Sequence, residues 1–291
     1  MLIIVVEFLE MDDIDATLSR LITGFHILHQ QRIFDEHGHV SVRNPADSST
    51  FFTSNVPALL VSSKSDLNQW NVSDGTPVLN PYVGCRVVQA IPHDSEHYIH
   101  GSMYNLYPGV QSVVHSQNLS TIVYGLCNSV GSMLQPSYHM AGFLAPQCPI
   151  FDAARHYSAL PPTYPRNLLI NHKYLGDALA RAFSSSPEGD GIVMLPNYAT
   201  VFQRGHGFVT WATGIEEAVY RAIHVQRNAD IQTIAMGQRD NTALEIVYLS
   251  EREAKDCQET INRPSRLTWS SWLAQAERSG LYDNELRGRG I

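Results

Sequence analysis

Apolar residues recur at three- and four-residue intervals through Leu18, Leu21, Ile22, Phe25 and Leu28, a spacing that predicts a helix over residues 12–31. The period then changes. After a turn at Gly38, Ser41 and Arg43 alternate with Val40 and Val42, which predicts a strand from His39 onward. Pro45 marks a turn, and Phe51-Phe52-Thr53 reads as a second short strand. The Ser- and Asn-rich stretch 62–75 reads as loops around a small element. Further on, the pattern predicts a strand over 83–91, a helix over 95–106 ended near Pro108, a strand over 110–116 and a helix over 120–127. Residues 142–166 are proline-rich and read as irregular. Helix 175–183, extended segments at 191–195 and 208–209, and a long helix over 215–235 complete the pattern. Helices and strands alternate with no clean linker, so the expectation is one α/β domain over residues 1–291.

Composition narrows the partners. At 291 residues and 44% hydrophobic, the chain can bury a full core. A formal charge of −8 disfavours capture of nucleic acid or anionic membrane, both of which reward clustered Lys and Arg. A small molecule is the better partner. The four cysteines are dispersed and read as reduced thiols. The apolar opening, residues 1–9, has no basic flank and is too short to span a bilayer, so a cytoplasmic protein is expected.

The candidate chemistry centres on histidines. In Val113-Val114-His115-Ser116-Gln117 a strand aims His115 and Gln117 to one side, and His206 stands downstream in Arg204-Gly205-His206-Gly207. A divalent ion commonly takes three protein ligands, and convergence of His115 with His206 is what separates a metal pocket from an ordinary core histidine. Gln117 offers an amide oxygen, a weaker ligand than imidazole. Glu96, His100 and Tyr104 fall at i, i+4 and i+8. They read either as a solvated helical stripe or as a wall of proton-transfer groups. The glycines flanking His206 read as a tight turn, or as a close backbone approach that lets Arg204 fork onto a carboxylate. His37-Gly38-His39 reads as an oxyanion-binding turn or as a loop entering a strand, and Ser41 and Arg43 follow on its pocket side. His139, among Tyr138, Met140 and Phe143, reads as core packing or as a substrate wall. The sequence holds neither a Gly-x-Gly-x-x-Gly nor a P-loop pattern, so no nucleotide cofactor is expected.

In order and spacing, Gly38-His39-Val40-Ser41-Val42-Arg43, Glu96 through His100, Tyr104 and Pro108, Val113-Val114-His115, and Arg204-Gly205-His206-Gly207 with Gly214-Ile215-Glu216-Glu217-Ala218 resemble the class II aldolase/adducin family over about residues 15–250. The remainder, from about 251 to 291, reads as a C-terminal extension. The Gly-His-Val-Ser-Val-Arg and Arg-Gly-His-Gly forms look closest to the family's decarboxylase-like branch. The resemblance implies a three-layer α/β/α domain and a homo-oligomer, tetramer or dimer. It also implies a divalent metal, zinc, manganese or iron, on His115 and His206, with Glu96 as acid/base or ligand. Gln117 stands where the family's pattern has a second histidine, so it is a weaker ligand or a substrate contact. With the readings above, Glu96, His100 and Tyr104 are catalytic candidates, and His39, Ser41, Arg43, Gln117, His139 and Arg204 are substrate-binding candidates.

The activity expected is a metal-assisted lyase that decarboxylates, or cleaves a C–C bond by retro-aldol chemistry, in a small oxo- or hydroxy-carboxylate or aromatic substrate. Gln117 opens an alternative, a metal-independent cyclase, isomerase or dehydratase of specialised metabolism. A non-catalytic adducin-like binding protein is a third, disfavoured by the retention of Glu96, His115 and His206.

Overall fold

The computed structural model describes residues 2–79, 96–126, 134–185, 193–239, 245–261 and 265–287. Its centre is a seven-stranded sheet in the order β3-β2-β1-β4-β7-β6-β5. The strands are β1 (His39–Arg43), β2 (Thr50–Ser54), β3 (Leu67–Asn71), β4 (Ser112–Ser116), β5 (Ile150–Phe151), β6 (Thr200–Gln203) and β7 (Gly207–Ala212). All neighbours are antiparallel except β5 and β6, which run parallel.

Alternation along the strands feeds two cores. Val40, Val42, Val114 and Phe208 point to one face, where they meet Leu18, Leu21 and Phe25 of α1 (Leu2–Gln30) and Ala218, Ala222 and Ile223 of α5 (Ile215–Arg239). α3 (Leu119–Leu126) joins this layer through Tyr124. Phe51, Val113, Val201 and Val209 point to the other face, against Ile99 and Met103 of α2 (His97–Leu106) and Leu175 and Leu179 of α4 (Lys173–Arg181). The result is a three-layer α/β/α architecture. Because helices cover both faces, every residue of β1, β4 and β7 is buried, polar ones included, and those polar groups must find partners or a ligand.

Beyond α5, α6 (Glu251–Ile261) and α7 (Ser265–Ser279) fold back onto this body. Trp269 and Trp272 join the core of α1 and α5, and the Asn284 amide donates to the Ser19 carbonyl at 2.9 Å.

Most predicted elements stand where the pattern puts them, with four differences. Residues 67–71, expected among loops, form β3; its pairing with β2 and the Trp70 Nε1–H bond to Thr53 Oγ1, 2.8 Å, outweigh a polar local sequence. β6 was not foreseen, and residues 193–195, expected to be extended, form no strand. The helix expected from residue 95 begins at His97, which leaves Glu96 in the cap position with φ −97° and ψ 10°. The strand expected over 83–91 lies outside the described residues, as do Cys85 and Cys127. Cys148 and Cys257 are free thiols. Among the described residues no helix is long and apolar enough to cross a membrane.

Candidate active site

The strand register assembles the site. β1 and β4 pair antiparallel with His39 directly opposite His115, so the two rings share the α2 face with centroids 4.9 Å apart. His206 sits in the turn joining β6 to β7, where its N–H bonds to the Gln203 carbonyl at 3.1 Å. Gly205 (φ +65°) and Gly207 (φ +144°) supply the left-handed backbone this turn needs, and a Cβ on Gly207 would lie 2.0 Å from the Ser116 carbonyl oxygen. The hairpin thereby presses against the end of β4, and the His206 and His115 rings come to 4.9 Å.

Glu96 closes the cluster from the α2 side. The cap position turns its carboxylate away from the helical stripe, where Oε1 accepts the Ile170 N–H at 3.0 Å. Three imidazole Nε2 atoms surround it: His206 at 3.4 Å from Oε1, His39 at 3.8 Å and His115 at 3.9 Å from Oε2. Burial alone would raise the Glu96 carboxyl, but His206, His39 and His115 outweigh it and hold the group well below the usual carboxylate range. It is therefore ionised. Burial holds His115 well below the ordinary imidazole value against the pull of Glu96, so that ring is neutral.

Behind the cluster runs a buried polar chain. His39 Nδ1 lies 2.5 Å from His100 Nε2, His100 Nδ1 lies 2.7 Å from Ser41 Oγ, and Ser41 Oγ lies 2.6 Å from the Tyr104 hydroxyl. His100 is fully buried and held neutral by that burial, then by the neighbouring His39, His115 and His97. Burial also raises the Tyr104 phenol above its ordinary value. Neither group titrates near neutrality.

The outer contacts of the rings decide where their lone pairs point. His115 Nδ1 lies 3.1 Å from both the Phe208 carbonyl and the Gln203 amide nitrogen, and His206 Nδ1 lies 3.2 Å from Gln203 Oε1, so these outer contacts turn both Nε2 atoms toward Glu96. The Nε2 atoms of His39 and His115 are buried with no hydrogen-bond partner. Buried nitrogens without partners, turned toward a buried anion, are costly unless a cation lies between them. His39, Glu96 and His115 offer ligand atoms all within 4.8 Å of one another. This N,N,O donor set fits a divalent cation such as zinc, manganese or iron. Gln117 reaches the same place, with its Nε2 at 3.2 Å from His206 Nε2.

A cleft of about 360 Å³ opens beside the cluster, lined by His37, His39, Thr53, Val56, His97 and His100 among others. Three sequence candidates stand apart from it. All Arg43 donors go to backbone carbonyls. Arg204 is tied to Asp152, its Nε 2.7 Å from Oδ1. His139 is exposed and lines a separate cleft with Phe143, Glu217 and Tyr220. Sequence reasoning missed Gln203 and the Ile170 N–H. Position supplies the only signal for Gln203, three residues before His206 at the mouth of a hairpin.

Comparison with known proteins matches most of the chain. Residues 19–233 match the family described as Class II Aldolase and Adducin N-terminal domain. The chain is 38% identical over 270 residues to the decarboxylase tropJ of Talaromyces stipitatus, covering 90% of this chain and 95% of that protein. Among solved structures, an aldolase II superfamily protein from Pseudomonas syringae has a TM-score of 0.67 at 16% identity, covering 92% of this chain and 94% of that one. L-fuculose 1-phosphate aldolase from Glaciozyma antarctica has a TM-score of 0.64 at 16% identity, covering 94% and 93%. At such identities these two show the fold alone.

Proposed function

Because the chain belongs to the class II aldolase and adducin family, we propose that it is a lyase that decarboxylates a small oxo- or hydroxy-carboxylate or an aromatic acid with the help of a divalent metal ion. The observation that carries the reading is the ionised Glu96 carboxylate facing three imidazole Nε2 atoms at 3.4–3.9 Å. The 38% identical decarboxylase supports decarboxylation over retro-aldol cleavage.

Glu96, His115 and His206 would hold the ion. When bound, it supplies a Lewis acid that draws electron density from the substrate oxygens. The protein's own groups do the rest. In a 3-oxo acid, or the keto tautomer of an ortho-hydroxy aromatic acid, the electron pair of the breaking C–C bond moves toward the carbonyl β to the carboxylate, and carbon dioxide departs to leave an enolate or phenolate. Glu96, a carboxylate at neutral pH, accepts a proton from a substrate hydroxyl and passes it to the carbon that loses carbon dioxide, and the oxide left behind takes its proton from solvent. Its Oε1 stays anchored on the Ile170 N–H, which fixes the orientation of Oε2. The His39–His100–Ser41–Tyr104 chain holds the pocket wall rigid around the reacting atoms. The cleft beside His37 and Thr53, which borders His39 and His100, would be the approach for substrate. A homo-oligomer is proposed with the same reading.

One contact favours the alternative of metal-independent isomerisation or cyclisation: the Gln117 amide already meets His206 Nε2. A single experiment separates the two. Carbon dioxide release is measured over a panel of 3-oxo acids and ortho-hydroxybenzoates, with metal content determined on the same protein. Release that disappears on chelation, returns on reconstitution, and falls about 10²–10⁴-fold in Glu96→Gln supports the lyase. Turnover that survives complete metal removal supports the alternative.

A further inference from the structure

We propose that His39 is itself a metal ligand of this site, supplying from β1 the imidazole that Gln117 does not supply from the end of β4. The proposal rests on the metal-dependent reading above and names which side chains carry it.

Register is the first support. His39 and His115 are cross-strand partners, and each presents a buried Nε2 without a partner to the same oxygen, Glu96 Oε2, at 3.8 and 3.9 Å. Such distances are too long for direct hydrogen bonds and leave room for an ion bridging both rings to the carboxylate.

The second support is the polar chain behind His39. In donor order it runs His39 Nδ1–H to His100 Nε2, His100 Nδ1–H to Ser41 Oγ, and Ser41 Oγ–H to the Tyr104 oxygen. That order satisfies each group once and leaves the His39 Nε2 lone pair directed at Glu96. The reverse order would put a proton on that nitrogen, whose nearest acceptor, Glu96 Oε2 at 3.8 Å, lies beyond hydrogen-bond distance. Anchoring the far nitrogen of a ligating ring in this way orients the ring and raises its basicity.

The third support is that His206 is occupied differently. Its Nε2 takes the Gln117 N–H at 3.2 Å, whereas the Nε2 atoms of His39 and His115 take none. An imidazole is also the stronger donor to a borderline divalent ion than a neutral amide. The ion would then be held by His39 in addition to Glu96, His115 and His206, and Gln117, turned to His206, is left outside the ligand set.

The test is metal affinity, read without reference to turnover. Zinc content and chelator-competition affinity are measured for the full chain and for His39→Ala, Gln117→Ala and His115→Ala, with circular dichroism as the check on folding. His39→Ala and His115→Ala should each weaken zinc by more than about a hundredfold, beyond the ~10–100-fold typical of losing an outer-shell partner. Gln117→Ala should change it by less than about tenfold, the low end of that same range. If His39→Ala folds poorly, His39→Gln with cobalt(II) in place of zinc gives the answer by absorption: a changed visible spectrum is expected. Wild-type zinc affinity in His39→Ala, or an unchanged cobalt spectrum in His39→Gln, overturns the assignment while the metal reading stands. A wild-type chain that binds no divalent metal overturns both.

Discussion

Arg43 follows His39 and Ser41 on the pocket side of β1, and from the sequence it reads as a clamp for a substrate carboxylate. In the fold its Nε donates to the Val110 carbonyl at 3.0 Å, Nη1 to Ser48 at 2.6 Å, and Nη2 to Tyr104 at 2.8 Å and Tyr107 at 3.3 Å, with the guanidinium 4.7 Å over the Tyr104 ring. It ties β1 to the end of α2 and to the approach to β4. Arg43→Met is therefore expected to strand several buried carbonyls and lower stability by about 3–5 kcal/mol, at roughly 1–3 kcal/mol for each unsatisfied group. Urea unfolding checks the loss. If instead stability held and KM alone rose, Arg43 would be a substrate residue after all. The residue type was legible as functional, yet its partners come from three other segments that no local pattern announces. His39 is the converse case. It reads as a turn residue entering a strand and as a substrate contact, and only its pairing opposite His115 brings its Nε2 beside Glu96.

The β6–β7 hairpin carries the next prediction. Arg204-Gly205-His206-Gly207 announces a turn, and the structure makes the two glycines unequal. Gly205 has φ +65° and nothing closer than 3.4 Å to an added Cβ, whereas Gly207 has φ +144° and an added Cβ would meet the Ser116 carbonyl oxygen at 2.0 Å. Gly205→Ala should cost about 1–2 kcal/mol from its left-handed backbone alone. Gly207→Ala should cost several times more, because the hairpin must move off β4 and take His206 with it. Thermal unfolding of both variants gives the ranking, and equal losses would refute the close approach. This same hairpin shows the limit of pattern reading at the level of elements. β7 alternates apolar residues and is partly visible, but β6 and β3 owe their strand form to neighbours far away in sequence.

For the molecule as a whole, the buried neutral histidines set a pH dependence. Burial, with smaller contributions from Arg227 and His139, holds His224 down at about 3. Its Nδ1 meets the Tyr138 hydroxyl at 2.5 Å. Burial likewise lowers His26, whose Nε2 donates to the Val61 carbonyl at 2.7 Å. A folded value below the unfolded 6.5 means that the unfolded chain binds more protons. Stability is then full above about pH 6.5 and falls as the pH drops below it. His224 alone should cost on the order of 1 kcal/mol at pH 5.5. Urea unfolding at pH 7.5 and 5.5 should show the drop, and His224→Gln should shrink it; a drop equally large in that variant would place its source elsewhere.

The C-terminal extension belongs to this same scale. Trp269, Trp272 and Leu286 lie in one core with Leu18 and Phe25, so α7 and the segment after it extend the α1–α5 layer beyond the family's matched residues. Periodicity and composition alone determined the α/β class, the main helices, β1, β4 and part of β7. The spaced histidines with Glu96 also marked the chemistry, because helical and strand periods and side-chain donor types are local properties. Tertiary structure decided which of those residues meet. Register across β1 and β4 brought His39 to Glu96, the cap position turned the Glu96 carboxylate inward, and packing withdrew Arg43 from the pocket. These are contacts between residues 19 to 110 positions apart, and a contact of that kind is set by strand pairing and layer packing rather than by any neighbour along the chain.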